Sequence, residues 1–366
     1  MLNRAKVLQA LQEVQDGLFL DLKDEIEQAY LCWQKICADD TFAQKVAQAP
    51  AHFQLPLWQG NINQIFPVDK APLDYGALSI DGSQIYPDKH QGTTCYLVNI
   101  GSVQLMYGKK AHVKFDSKPY VFVNEESELD QSIELVNCKR QELELKAGLL
   151  LGKQIKEIIT MPYVVMIDGS LVFWHLQTKD LEVKNYFLSR YIESLEAYYQ
   201  EKLPIIGYIS LPKSKEIVNL LRFALGSQKD KKLFEHIVDS MIMQFFLPPF
   251  HCSTIFYTNT PIVQAYPEHL KPCFYFIHCG NEIARVEIPF WLTQDQEYFE
   301  LITSLICDQA QKGQGYPIAL AEAHEQAVVK GPDREFFYYL IQKLGIESQK
   351  RIFISQKIMK KRRIGI

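Results

Sequence analysis

What this chain lacks narrows its class. Its eight cysteines (Cys32, Cys37, Cys95, Cys138, Cys252, Cys273, Cys279 and Cys307) include no Cys-x-x-Cys pair, which removes the usual zinc and dithiol spacings. Most of them sit in apolar segments and read as reduced, buried thiols rather than a disulfide framework. No run approaches the roughly 18 apolar residues that a membrane helix needs. The N-terminus, Met1-Leu2-Asn3-Arg4-Ala5-Lys6, leads into a helical pattern rather than a signal-peptide core, so a cytoplasmic protein with no membrane partner is expected. There is no excess of positive charge: the formal net charge is −4 over 366 residues, so any polyanion must be met by a local patch. A Gly-x-Ser-x-Gly elbow and a phosphate-cradling glycine loop with its lysine are both missing, which leaves serine hydrolase and P-loop readings without support. What is abundant is hydrophobic content, at 47%, ample for a large packed core.

The chemistry concentrates at two places. Tyr163-Val164-Val165-Met166-Ile167 is an apolar, partly β-branched run of the kind buried on both faces of a sheet, and Asp168-Gly169-Ser170 follows it. Ala77-Leu78-Ser79-Ile80 likewise runs into Asp81-Gly82-Ser83. Either Asp-Gly-Ser taken alone is a good turn, since Gly supplies positive φ and Asp and Ser bond their own backbone. Two copies after buried-type strands point instead to two aspartates delivered to one site, where a carboxylate at the lip of a buried strand calls for a cation.

The surrounding pattern predicts an α/β protein: an N-terminal helical extension over residues 1–70, one mixed α/β domain over 71–350 and a basic tail over 351–366. Strand-like segments from Ala77 to Val123, with turns expected at Gly101, Gly108-Lys109-Lys110 and Asp116-Ser117-Lys118, suggest an antiparallel meander. Asn124 or Ser127 then caps a long helix with Glu125, Glu126, Glu128 and Asp130 at its start. On that helix Arg140 and Glu144 lie one turn apart, either as a surface ion pair or with Glu144 turned to the strand ends as a third acidic ligand. Glu142 is the second choice.

Further along, Val172 to His175 reads as a strand, Tyr186 to Gln200 as a helix, and Ile205 to Ser210 as a strand. Lys213 and Lys215 stand before a helix from Glu216, a position suited either to a phosphate or to solvent. Residues 226–250 look like an elaboration. Strands are expected at Ser253 to Thr258, Cys273 to His278 and Ile283 to Pro289, where alternation puts Arg285 beside Glu287. Two late helices, 294–312 and 317–329, bracket Gly313-Gln314-Gly315-Tyr316-Pro317. Tyr316 and His324 are eight residues apart, close to two helical turns, and can share one side. A last helix runs from Asp333 to about Leu344, before the tail Lys357 to Arg363, which is either a phosphate contact or a solvated end.

Two strand-end aspartates and a helix glutamate are hard oxygen donors of the kind Mg²⁺ and Mn²⁺ take, and two such ions about 3.5–4 Å apart serve phosphodiester hydrolysis. The ordered set Ile80-Asp81-Gly82-Ser83-Gln84, Arg140 with Glu144, Ile167-Asp168-Gly169-Ser170-Leu171, Arg285-Val286-Glu287-Ile288-Pro289, and Gly315-Tyr316-Pro317 with Ala323-His324 resembles the NurA nuclease family over about residues 76–330. The resemblance implies an RNase H-like core and Mn²⁺-dependent (Mg²⁺ as alternative) DNA cleavage with 5′–3′ exonuclease and single-strand endonuclease activity. It also implies a homodimer and partnership with a HerA-type hexameric helicase in DNA end resection. Carried over by position, Asp81, Asp168 and Glu144 or Glu142 bind metal, and Tyr316 and His324 complete the site, with His324 also a candidate ligand. Lys213 and Lys215 before the helix from Glu216, with Arg140 and Arg285, are the candidate DNA contacts. The carboxylates alone are equally compatible with a metal-dependent phosphatase or RNase, and a non-catalytic scaffold supporting a helicase is the other alternative.

Overall fold

A computed structural model describes residues 2–18, 20–88, 95–109, 111–123, 133–227 and 230–348. The expected helix caps at Asn124 and Ser127, the segment Thr93-Thr94 and the basic tail lie outside the described residues. Three helices, α1 (Arg4–Glu13), α2 (Lys23–Cys37) and α3 (Phe42–Ala47), precede two short strands, β1 (Leu57–Trp58) and β2 (Ile65–Pro67). The stretch before residue 70 is therefore not helical throughout, because β1 pairs with β9 (Phe256–Tyr257) and β2 with β8 (His251–Ser253). Apolar α2 and α3 residues such as Trp33 and Phe42 share a core cluster with the central strand β10 (Pro272–His278).

The meander is β3 (Gly76–Ile85), β4 (Tyr96–Met106) and β5 (His112–Phe122), all antiparallel. Then α4 (Ile133–Ile158) crosses to β6 (Tyr163–Asp168), which pairs parallel with β3, and α5 (Leu181–Gln200) crosses to β7 (Ile205–Ile209), parallel to β6. Beyond β7 the sheet continues antiparallel through β11 (Ile283–Pro289) and β10. Between these strands in sequence lie α6 (Glu216–Ala224) and α7 (Asp239–Met243), and after them α8 (Gln296–Lys312), α9 (Ile318–Ala327) and α10 (Gly331–Glu347). The central order β5-β4-β3-β6-β7 is the RNase H-like mixed sheet that the resemblance implied.

Alternation along β6 explains why its sequence reads as one apolar run. Val165 and Ile167 face the core under α4 and α5, while Val164 and Met166 face the core under α8 and α9. None of the four is more than 3% exposed, and burial of each is worth ~2 kcal/mol. Both faces being covered forces both parities to be apolar.

Several expected turns are strand interior. β4 passes straight through Gly101 and β5 through Asp116-Ser117-Lys118. Asp81-Gly82-Ser83 is also mid-strand, because β3 continues to Ile85 in register with β4. Residues Val172 to His175 form no strand; a 3₁₀ turn covers Trp174–Leu176. At Gly101, at Asp116-Ser117-Lys118 and at Asp81-Gly82-Ser83 a glycine or polar residue mimics a break, while pairing with a long neighbour keeps the strand extended. Among the described residues no helix is long and apolar enough to cross a membrane.

Candidate metal and catalytic site

Parallel register places the two aspartates. Ile80 lies opposite Ile167 across β3 and β6, so Asp81 and Asp168 are the next residues on neighbouring strands. They reach this position differently: Asp168 ends its strand at Gly169, whose φ of +127° suits only glycine, whereas Asp81 projects from the middle of β3.

Opposite Asp81 on β4 stands Gly101. A Cβ there would collide with the backbone of Ala323 and Ala327, so the missing side chain is what lets α9 settle on the sheet. Asn99 Nδ2 and Ser83 Oγ donate to the Ala327 carbonyl at 2.8 and 2.5 Å, closing the end of α9. Held this way, α9 brings His324 Nδ1 to 2.8 Å from Asp81 Oδ2. The Gly315 entry, with φ of +125°, sets Tyr316 edge-to-face on Tyr208 at 5.7 Å. The Tyr316 hydroxyl lies near Asp168 and favours its charged form.

Glu144 arrives from α4. A Cβ at Gly82 would lie 2.5 Å from Glu144 Oε1 and 2.8 Å from Arg140 Cγ, so a second glycine admits the helix. Arg140 Nε stands 3.4 Å from Glu144 Oε1, and its Nη1 donates to the Gly82 carbonyl at 2.9 Å. Burial, with Asp81 and Asp168 adding to it against Arg140, pushes the Glu144 carboxyl up to about 7. Asp168 is exposed as a residue yet crowded by neighbouring atoms. That crowding first, and the charge of Asp81 second, raise its pKa against the Tyr316 hydrogen bond.

These carboxylates destabilise one another, and a hard cation relieves such a conflict. Oxygen donors alone, without thiolate, fit Mg²⁺ or Mn²⁺. Among the described residues no three His, Cys, Asp or Glu side chains already stand in ligating geometry. Asp81 is engaged by His324 and by the Gly82 amide at 2.7 Å, and Glu144 by Arg140. The donor set thus fits a divalent ion by chemistry, with Asp81, Asp168 and Glu144 as the residues that would hold it.

Other expected site residues lie elsewhere. Glu142 is fully buried and held by Lys139 at 2.9 Å, Lys146 at 2.5 Å and Arg190 at 3.2 Å. It faces α5, because two residues on a helix turn a side chain by about 200°, and this removes it as a ligand. Arg285 is not a surface DNA contact: 2% exposed, it pairs with Glu216 and, at 2.8 Å, with Glu287. The start of α6 is closed to a phosphate, since the Asp239 carboxylate accepts from Glu216 N and Val218 N, each at 3.0 Å, and Lys215 donates to the Glu235 carbonyl. Lys213 remains exposed on the loop after β7. In the sequence Gly82 and Gly101 read as turn residues and Tyr208 only as part of a strand; the signal of their part in the site is a glycine inside a strand and an aromatic inside another.

Comparison with known proteins identifies the family and the fold. The profile of the NurA domain matches residues 76–329. The NurA nuclease from Sulfolobus solfataricus superposes with a TM-score of 0.57 at 14% identity, covering 95% of this chain and 98% of that one. A NurA structure with manganese gives 0.40 at 10% identity over 92% and 98%, and one bound to dAMP and manganese gives 0.35 at 11% over 90% and 94%. No curated protein sequence matches the chain. With its family profile matched over most of its length, and with the fold of the Sulfolobus protein, the chain belongs to the NurA family.

Proposed function

We propose that this chain is a divalent-metal-dependent DNA nuclease. The observation that carries the proposal is the convergence of Asp81, Asp168 and Glu144 from two strands and a helix, with Tyr316 and His324 brought to the same carboxylates. Nothing in the packing of the sheet requires this many acids in one place. Family membership and the oxygen-only donor set favour Mn²⁺, and Mg²⁺ shares the same donors. Two-metal hydrolysis, 5′–3′ exonuclease and single-strand endonuclease activity, a homodimer and work beside a HerA-type hexameric helicase in end resection belong to the same proposal and rest on the family alone.

Divalent cations held by Asp81, Glu144 and Asp168 would supply an activated water and offset charge on the leaving oxygen. The protein's own groups do the rest. Tyr316 carries a hydroxyl donor beside Asp168 and can turn it to a phosphate oxygen. His324, with Nδ1 engaged by Asp81, keeps its other ring nitrogen for proton transfer. Arg140 places positive charge next to Gly82, where a phosphate would approach.

Purified protein incubated with labelled single-stranded DNA, duplex DNA, RNA and a nucleotide, in Mn²⁺, Mg²⁺ or EDTA, tests the reading. Cleavage of DNA with Mn²⁺ and none with EDTA is expected. Degradation of RNA alone, or phosphate release from the nucleotide alone, would replace the DNA assignment.

A further inference from the structure

The Arg285-Val286-Glu287 segment has no part in the reaction described above, yet it carries a buried carboxylate whose hydrogen bonds converge on one turn. Glu287 is 1% exposed. Its Oε2 accepts from Leu171 N at 2.8 Å, Val172 N at 3.2 Å and Ser170 Oγ at 2.7 Å. These three residues follow Asp168 directly after Gly169. To reach Glu287 on β11, the turn passes over β7 at Gly207, where a Cβ would collide with the Gly169 carbonyl, and Gly207 is the residue of β7 that lies opposite Glu287.

The other oxygen of Glu287 accepts from Arg285 Nε at 2.8 Å. Arg285 lies with its guanidinium 3.6 Å over the Phe274 ring and pairs in turn with Glu216 at the start of α6. A buried ion pair of this kind contributes little net stability against a hydrophobic replacement, because desolvation offsets the attraction. What it supplies is a fixed direction for the acceptor that the turn needs.

We propose that Glu287, oriented by Arg285, is a positioning residue for Asp168: it clamps the Gly169–Val172 turn and so sets the angle at which the strand-end carboxylate meets a metal ion. The inference rests on the reading of Asp168 as a ligand. Outer partners of this sort typically change metal affinity or activity 10- to 100-fold when removed.

Two variants test it. In Glu287→Gln the amide oxygen can still accept, but the new N–H₂ group opposes Arg285 Nε. Ser170→Ala removes the bond to Glu287 together with the hydroxyl's contacts to Val172 N and Val172 O, each at 3.0 Å, and buries no charge. Three quantities are read: hydrogen exchange in peptides spanning residues 169–173 without metal, Mn²⁺ half-saturation from thermal shift, and kcat and KM on single-stranded DNA. The clamp predicts faster exchange, Mn²⁺ half-saturation raised about 10- to 100-fold in Glu287→Gln and about fivefold in Ser170→Ala, and a lower kcat with KM for DNA unchanged. A folded Glu287→Gln with wild-type Mn²⁺ binding and kcat overturns it. If that variant does not fold, unchanged Mn²⁺ binding in Ser170→Ala overturns it equally. Wild-type protein that binds Mn²⁺ but cuts no DNA sinks the nuclease reading and leaves the clamp to be decided by exchange and Mn²⁺ titration; wild-type protein that binds no Mn²⁺ sinks both.

Discussion

His324 Nδ1 and Asp81 Oδ2 lie 2.8 Å apart although 243 residues separate them. The contact exists because Gly101, beside Asp81 on the neighbouring strand, leaves space for the backbone of α9. A residue with no side chain thus brings a histidine to an aspartate.

Gly101→Ala should therefore act on both stability and activity. The atoms in its way are backbone, which cannot rotate aside, so α9 must shift; a loss of about 1–3 kcal/mol is expected, together with a fall in cleavage. Gly17→Ala, where nothing lies within 4 Å, serves as the neutral control. Thermal unfolding and a DNA cleavage assay on both variants check this.

Asp168→Ala should reduce cleavage to background without unfolding the protein. The carboxylate is strained toward its neutral form by crowding and by Asp81, so its removal relieves repulsion. The metal-free melting temperature should hold or rise, while the rise caused by Mn²⁺ disappears. Undiminished cleavage would falsify the site.

Glu144→Gln separates ligand from structural acid through pH. The wild-type group is raised to about 7 in the folded protein from an ordinary value near 4.5. Between these values the native state holds the extra proton, so its stability falls as pH rises across that window and stays lower above it. The glutamine variant lacks this loss. Without metal it should match wild type near pH 4.5 and exceed it by up to about 3 kcal/mol at pH 8. Urea unfolding at both pH values measures the difference, and equal curves would contradict the burial argument.

Tyr316→Phe removes the hydroxyl that favours the charged form of Asp168. The Asp168 carboxyl should rise further, moving the acid limb of the rate profile to higher pH. His324→Ala should cost about 10²-fold or more in kcat if it transfers a proton. Rate profiles at saturating Mn²⁺ distinguish the two effects.

Glu142→Gln provides the opposite pattern. Its three cations are 24–49% exposed, so the lost pairing is screened and about 1–2 kcal/mol is expected. The Mn²⁺ dependence of the cleavage rate should be unaltered. A raised Mn²⁺ requirement would return Glu142 to the site.

Much of the core was legible because β6 is apolar on both parities, and only a strand covered on two sides needs that. The late helices were read with boundaries close to those observed, Gln296–Lys312, Ile318–Ala327 and Gly331–Glu347. Where the reading went astray, local chemistry was outvoted by pairing. Asp81-Gly82-Ser83 has every mark of a turn, but ten consecutive partners on β4 hold it extended. The alternation that set Arg285 beside Glu287 is met as a buried pair, and Arg285 as a DNA contact is excluded because α6 and β10 cover it.

The sequence by itself determined which residue types were on hand: acids after buried-type strands, a tyrosine and histidine two turns apart, and no thiol or serine set to compete with them. Only the tertiary structure decided which of those acids meet. Glu144 rather than Glu142 joins the aspartates because the sheet lies on one side of α4 and α5 on another, and Asp81 stands beside Asp168 because β3 and β6 pair in parallel. Adjacency between distant segments depends on strand order and on which helix face a neighbour covers, and neither is encoded at the residues themselves.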